Sequence, residues 1–189
     1  MNWHGVSAAV LVVVLVGAAV SDLRRGCVYN WLTYPAVIVG LALGAAEGAG
    51  AGGAWDGFTN HAEGCVFGFS VLLAAYLFGG MGGGDVKLMA AIGALIGWPA
   101  TLHAVFYSFL AAAAIGLIVV IWRGQTVQVL RRFWMAVRIL PLPSATMDDA
   151  VPTSSFRVPF GFAACLGTLW FLGERWFGGS LWDVLAGRM

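Results

Sequence analysis

Charge is what this chain has least of. Only 10% of its 189 residues are Asp, Glu, Lys or Arg, against roughly 25% in an ordinary soluble domain, so a water-solvated surface all round is excluded. The net charge is +1, and no nucleic-acid partner is expected. Cysteine is scarce too. Cys27, Cys65 and Cys165 stand apart with no Cys-x-x-Cys pair, which supports neither a disulfide framework nor a metal centre; they read as small packing residues. A phosphate loop is also missing. In Gly79-Gly-Met-Gly-Gly-Gly-Asp85 no Gly-Lys-Ser/Thr follows, and Asp85 stands where a dinucleotide fingerprint needs its third glycine. Finally, no positive charge precedes the first apolar stretch, so 1–20 reads as an anchor with its start outside rather than a cleaved signal.

What abounds is apolar sequence. Hydrophobic residues make up 60% of the chain, mean hydropathy is +0.87, and there are 27 glycines. Runs free of charge cover 6–21, 26–46, 64–84, 88–122 and 158–173. A spanning helix needs about 17–25 apolar residues. The fourth run is therefore too long for one helix, and Trp98-Pro99 offers a break inside it. The expectation is an all-α integral membrane protein: a six-helix transmembrane bundle, two of its spans short, forming one domain over 1–189. With the N-terminus outside, the inner face collects Arg24, Arg25, Lys87, Arg123, Arg131, Arg132, Arg138 and Arg157, as the positive-inside rule favours. Glycines four apart, such as Gly40/Gly44, Gly64/Gly68 and Gly93/Gly97, predict close helix packing. The Gly/Ala-rich stretch 48–64, with Trp55 and His61, reads as an exposed outer loop. Residues 123–138 form a basic amphipathic stretch that fits a leaflet-surface helix or a plain solvated connector.

Against that apolar background two acids stand out, Asp22 after the first run and Asp85 before the fourth, both on the expected cytoplasmic side. An ionisable group in a membrane segment costs roughly 2.5–3.5 kcal/mol on insertion scales, which makes it a functional candidate. Two carboxyl groups brought together share one proton. One then takes a proton from water while the other donates to a scissile carbonyl oxygen. A plainer reading has Asp22 neutralising Arg24 or Arg25 and Asp85 capping a helix that begins at Val86. Spacing fits both. Lys87 fits either a headgroup contact or a contact with substrate or an Asp.

The pattern Asp22-Leu-Arg-Arg-x-x-Val28-x-Asn30-x-Leu32, then Gly82-x-Gly84-Asp85-x-Lys87-Leu88 with Ala91-x-Gly93-Ala94, and late Val158-Pro-Phe-Gly161, resembles the type IV prepilin peptidases. That resemblance implies an intramembrane aspartic endopeptidase of the bacterial inner membrane, with Asp22 and Asp85 as the catalytic pair. Asn30, Gly82, Gly84, Lys87, Pro159 and Gly161 would bind substrate or shape the site, with no metal and no cofactor. Its substrates would be prepilins or pseudopilins, cut at the cytoplasmic face after a short basic leader, with lipid as its other partner. Relatives often have Pro before the residue matching Asn30; here Tyr29 stands there, so the turn after Asp22 is expected to differ. No N-terminal zinc region with paired Cys-x-x-Cys precedes the first span, so the chain is similar to the short, peptidase-only branch of tight-adherence pilus systems, and methyl transfer is not expected. Rival readings keep the chemistry but change the substrate (a preflagellin or signal-peptide-peptidase-like protease), or make the acids part of a small proton- or cation-coupled transporter or a non-catalytic assembly factor.

Overall fold

The computed structural model describes residues 3–77, 81–122 and 159–177. Among these the protein is all-helical, with six helices: α1 (Trp3–Arg25), α2 (Asn30–Gly50), α3 (Ala54–Leu77), α4 (Gly83–Ile96), α5 (Ala100–Trp122) and α6 (Phe160–Phe177). The basic stretch 123–138, Gly79, Gly80 and Val158 lie outside the described residues. Three helices are long and apolar enough to cross a membrane: Gly5–Arg25, Asn30–Gly50 and Ala100–Trp122. The chain divides into two compact units, Met1–Ala112 with Pro159–Met189, and Ala113–Val158. Of the second, the described part is the final stretch of α5, whose Leu117, Ile118, Ile121 and Trp122 are exposed. The first unit carries the site.

Glycine punctuates the helices as their backbone requires. The Gly26 N–H closes α1 on the Asp22 carbonyl at 2.8 Å, with Gly26 at φ 63°. Gly97, at φ 70°, does the same for α4 by bonding the Gly93 carbonyl at 2.9 Å. Both have the positive φ that glycine adopts readily at a helix end. The break expected near Trp98-Pro99 is there: α4 ends at Ile96 and α5 starts at Ala100, across a cis Trp98–Pro99 bond. Asn60 clips this turn, its amide donating to the Trp98 carbonyl at 2.7 Å.

α4 is the axis of the first unit. Val86 and every residue from Leu88 to Leu95 are buried, and α1, α2, α3 and α6 all pack against it. At about 1.5 Å per residue its 14 residues make a helix of roughly 21 Å, short of the ~30 Å hydrocarbon core. A helix apolar on every side is an enclosed one. Close approach is what the small residues allow: a Cβ on Gly64 would lie 2.5 Å from the Gly93 carbonyl oxygen, and one on Gly40 would lie 2.5 Å from the Ala94 oxygen.

The stretch 48–64 is not an outer loop. α2 runs to Gly50 and α3 starts at Ala54, so only 51–53 connect them. Gly48 and Gly57 face each other backbone to backbone across that hairpin. Glycine and alanine here serve a helix contact, which composition alone does not distinguish from a loop. Trp55 is exposed as expected, but His61 is buried at 6% exposure. Its Nδ1 stands 2.7 Å from the Ala94 carbonyl of α4 and its Nε2 3.6 Å from Glu47 Oε2 of α2, while Ser7 of α1 donates to Glu47 Oε1 at 2.9 Å. One polar cluster thus ties four helices together at the end of the bundle away from Asp22 and Asp85.

Candidate active site

Asp22 lies inside the last turn of α1 rather than beyond it, and it is buried at 8% exposure. Arg25 does not take the ion-pairing role weighed for it: its guanidinium sits over the Tyr29 ring, 5.7 Å from the centroid, and bonds the Tyr29 hydroxyl. The chain then doubles back through 26–29 into α2. Tyr29 adopts φ −80° and ψ 138°, values open to proline. The backbone at Tyr29 is therefore one that proline could also adopt.

Asp85 is the third residue of α4, which begins at Gly83 and not at Val86. It is half-buried, and its Oδ2 accepts the Gly82 N–H at 3.3 Å. That contact is the helix-capping one, and it turns one carboxylate oxygen back toward the glycine turn. Gly84 has a reason to be glycine: a Cβ there would come 3.3 Å from the Val28 N, O and Cβ. The Asp85 turn thus rests on the α1–α2 corner, six residues after Asp22.

Asn30 and Lys87 meet across α2 and α4. The Lys87 ammonium donates to Asn30 Oδ1 at 2.9 Å and lies 5.4 Å from the centre of the Tyr34 ring. Neither the headgroup nor the substrate reading anticipated this bridge. Tyr34 was missed altogether, though its position four residues after Asn30 puts it on the same helix face.

The start of α6 packs on Asp22. Phe162 donates its backbone N–H to Asp22 Oδ2 at 3.3 Å, and a Cβ on Gly161 would lie 3.0 Å from Asp22 Cβ and Oδ2. Pro159 stands just ahead of this turn and accepts the Ala163 N–H at 3.2 Å. The end of α1 thus meets the start of α6 at Asp22, and the α1–α2 corner meets the start of α4 through Val28–Gly84 and Asn30–Lys87. Val28, already part of the motif around Asp22, packs on Gly84, while Tyr34 and Phe162 enter with no sequence signal beyond their spacing. Among the described residues no cluster of three or more His, Cys, Asp or Glu could hold a metal ion.

Comparison with known proteins bears on the same residues. The profile described as the type IV leader peptidase family matches residues 9–117. That range holds Asp22, Asn30, Gly82, Gly84, Asp85 and Lys87, and stops short of α6. Two curated relatives, each called prepilin leader peptidase/N-methyltransferase, come from Burkholderia pseudomallei strains 1026b and K96243. Each is 32% identical over 125 residues, covering 59% of this chain and 36% of its own length. The chain thus spans about a third of the relatives it matches. No solved structure matches.

Proposed function

The chain belongs to the type IV leader peptidase family, and we propose that it is an intramembrane aspartic endopeptidase that removes the leaders of type IV prepilins or pseudopilins. Asp22 and Asp85 form the catalytic pair. One carboxylate takes a proton from the hydrolytic water while the other, protonated, gives its proton to the oxygen of the scissile carbonyl; the tetrahedral species then collapses as the amine leaves with a proton. Neither metal nor cofactor enters these steps.

The observation that carries this reading is the packing of Gly84 on Val28, which sets the glycine turn before Asp85 against the corner that follows Asp22. Lys87 bridges to Asn30 beside that corner, Gly82 bonds Asp85, and Gly161 packs on Asp22 just after Pro159. The bundle crosses the bacterial inner membrane six times with its N-terminus outside, so the site faces the cytoplasm, where a basic leader waits and the pilin's apolar helix lies in the bilayer. Exposed aromatics support that register. Trp31, Tyr34 and Tyr76 ring the end that holds the aspartates, and Trp55, Trp98 and Trp176 ring the other. Between them Val13, Ile38 and Val66 face outward, each more than 60% exposed, as lipid contact demands.

The test is cleavage of a pilin precursor by the purified, reconstituted chain. Asp22→Asn and Asp85→Asn should each lower turnover by about 10²-fold or more while the unfolding midpoint stays within a few degrees of wild type. Wild-type activity in either variant overturns the assignment. A folded wild-type protein that leaves every precursor intact turns it toward an assembly role.

A further inference from the structure

We infer that the first turn of α6 is a clamp that sets the catalytic geometry of Asp22, with Gly161 and the Phe162 amide as its positioning elements. The inference rests on the peptidase reading and concerns a part of the chain beyond the family match at 9–117.

A helix leaves its first N–H groups without partners inside the helix. In α6 the Ala163 N–H is bonded back to the Pro159 carbonyl at 3.2 Å. The Phe162 N–H, one residue earlier, goes instead to Asp22 Oδ2 at 3.3 Å, across 140 residues of sequence. An N–H can only donate, so Oδ2 is held as an acceptor. With one lone pair of Oδ2 so occupied, Oδ1 is the better placed oxygen to face the hydrolytic water. The clamp also answers an electrostatic problem. Asp22 sits in the last turn of α1, the end of a helix that disfavours negative charge, and it is buried. The positive end of α6 offsets that field at the same carboxylate.

Gly161 sets how close the clamp can come. A Cβ there would stand 3.0 Å from Asp22 Cβ and Oδ2 and 3.2 Å from Cγ, closer than carbon and oxygen normally pack. Alanine would push the carboxylate off its donor by a few tenths of an ångström, while by helix propensity alone it should stabilise α6. Position and stability therefore move in opposite directions, which separates a positioning role from a structural one.

The experiment uses the full chain reconstituted in lipid with a pilin precursor, and it pairs kinetics with amide exchange. Gly161→Ala is expected to lower kcat by about 10- to 100-fold, in line with sub-ångström to ångström misplacement of a reacting group. KM should stay within about twofold and the unfolding midpoint should hold or rise. Phe162→Pro, which deletes the donor, should be about tenfold slower than Phe162→Ala, which keeps it. Independently of cleavage, exchange of the Phe162 amide should quicken about tenfold or more in Asp22→Ala. Wild-type kcat in Gly161→Ala, equal rates for the two Phe162 variants, or unchanged exchange each overturns the clamp while the peptidase reading stands. Quickened exchange in a protein whose wild type never cleaves keeps the contact, and overturns the catalytic role together with the peptidase reading.

Discussion

Lys87 shows how one side chain can join two helix starts. Two residues after Asp85, it reaches back to Asn30 at 2.9 Å and covers the Tyr34 ring, so it staples the start of α4 to the start of α2. The bridge is solvent-accessible, and its net worth is about 1 kcal/mol or less. Its effect on geometry should exceed its effect on stability, because it anchors the helix turn that presents Asp85. Lys87→Met keeps the apolar stem and removes the donor. It is expected to slow precursor cleavage several-fold with an unfolding midpoint close to wild type, and Asn30→Leu should give the same phenotype. Full activity in both would reduce the bridge to a surface contact. From the sequence, Asp22, Asp85 and Lys87 could be named because each breaks an apolar background where its polarity needs a reason, and Asn30 through its place in the family pattern. Phe162 could not. Its contribution is a backbone amide, which alters neither composition nor pattern.

Among the elements, α4 carries the most consequence. It is too short to span a bilayer alone and is enclosed by α1, α2, α3 and α6, so its position depends on how closely its neighbours approach. The Gly64–Gly93 crossing sets that distance for α3, since a Cβ on either residue would overlap the carbonyl of the other. Gly93→Ala is expected to destabilise the protein by about 1–3 kcal/mol through overpacking, seen as a lower unfolding midpoint in detergent. Gly50→Ala, with open space around it, should change stability by no more than about 0.5 kcal/mol. Equal effects at the two positions would contradict this account. Glycines spaced by four were a legible sign of close packing, and the break at Trp98–Pro99 was legible because proline cannot continue a helix. The hairpin at 51–53 was not. Its flanking glycines and alanines match a loop in composition, and only their burial against a partner helix reveals them as helix.

For the whole molecule the decisive question is which end faces the cytoplasm. Cys27 is exposed at the corner between α1 and α2, whereas Cys65 is half-buried and Cys165 buried. A maleimide that cannot cross membranes should therefore label Cys27 in inverted inner-membrane vesicles and leave it unlabelled in intact spheroplasts. The reverse result would place the aspartates on the outer side and exclude a substrate whose leader lies in the cytoplasm. Composition by itself determined that this chain belongs in a bilayer and builds helices, because apolar surface and unsatisfied backbone groups admit few other solutions there. The local patterns around Asp22 and Asp85 determined the kind of chemistry to look for. Tertiary structure alone decided that α4 lies enclosed and that α6 returns to bond Asp22. It also decided that Glu47, His61 and Ser7 join at the far end. These contacts link residues up to 140 positions apart, and helices of such uniform apolarity can be arranged in many ways until close packing at particular glycines and a few buried hydrogen bonds selects one.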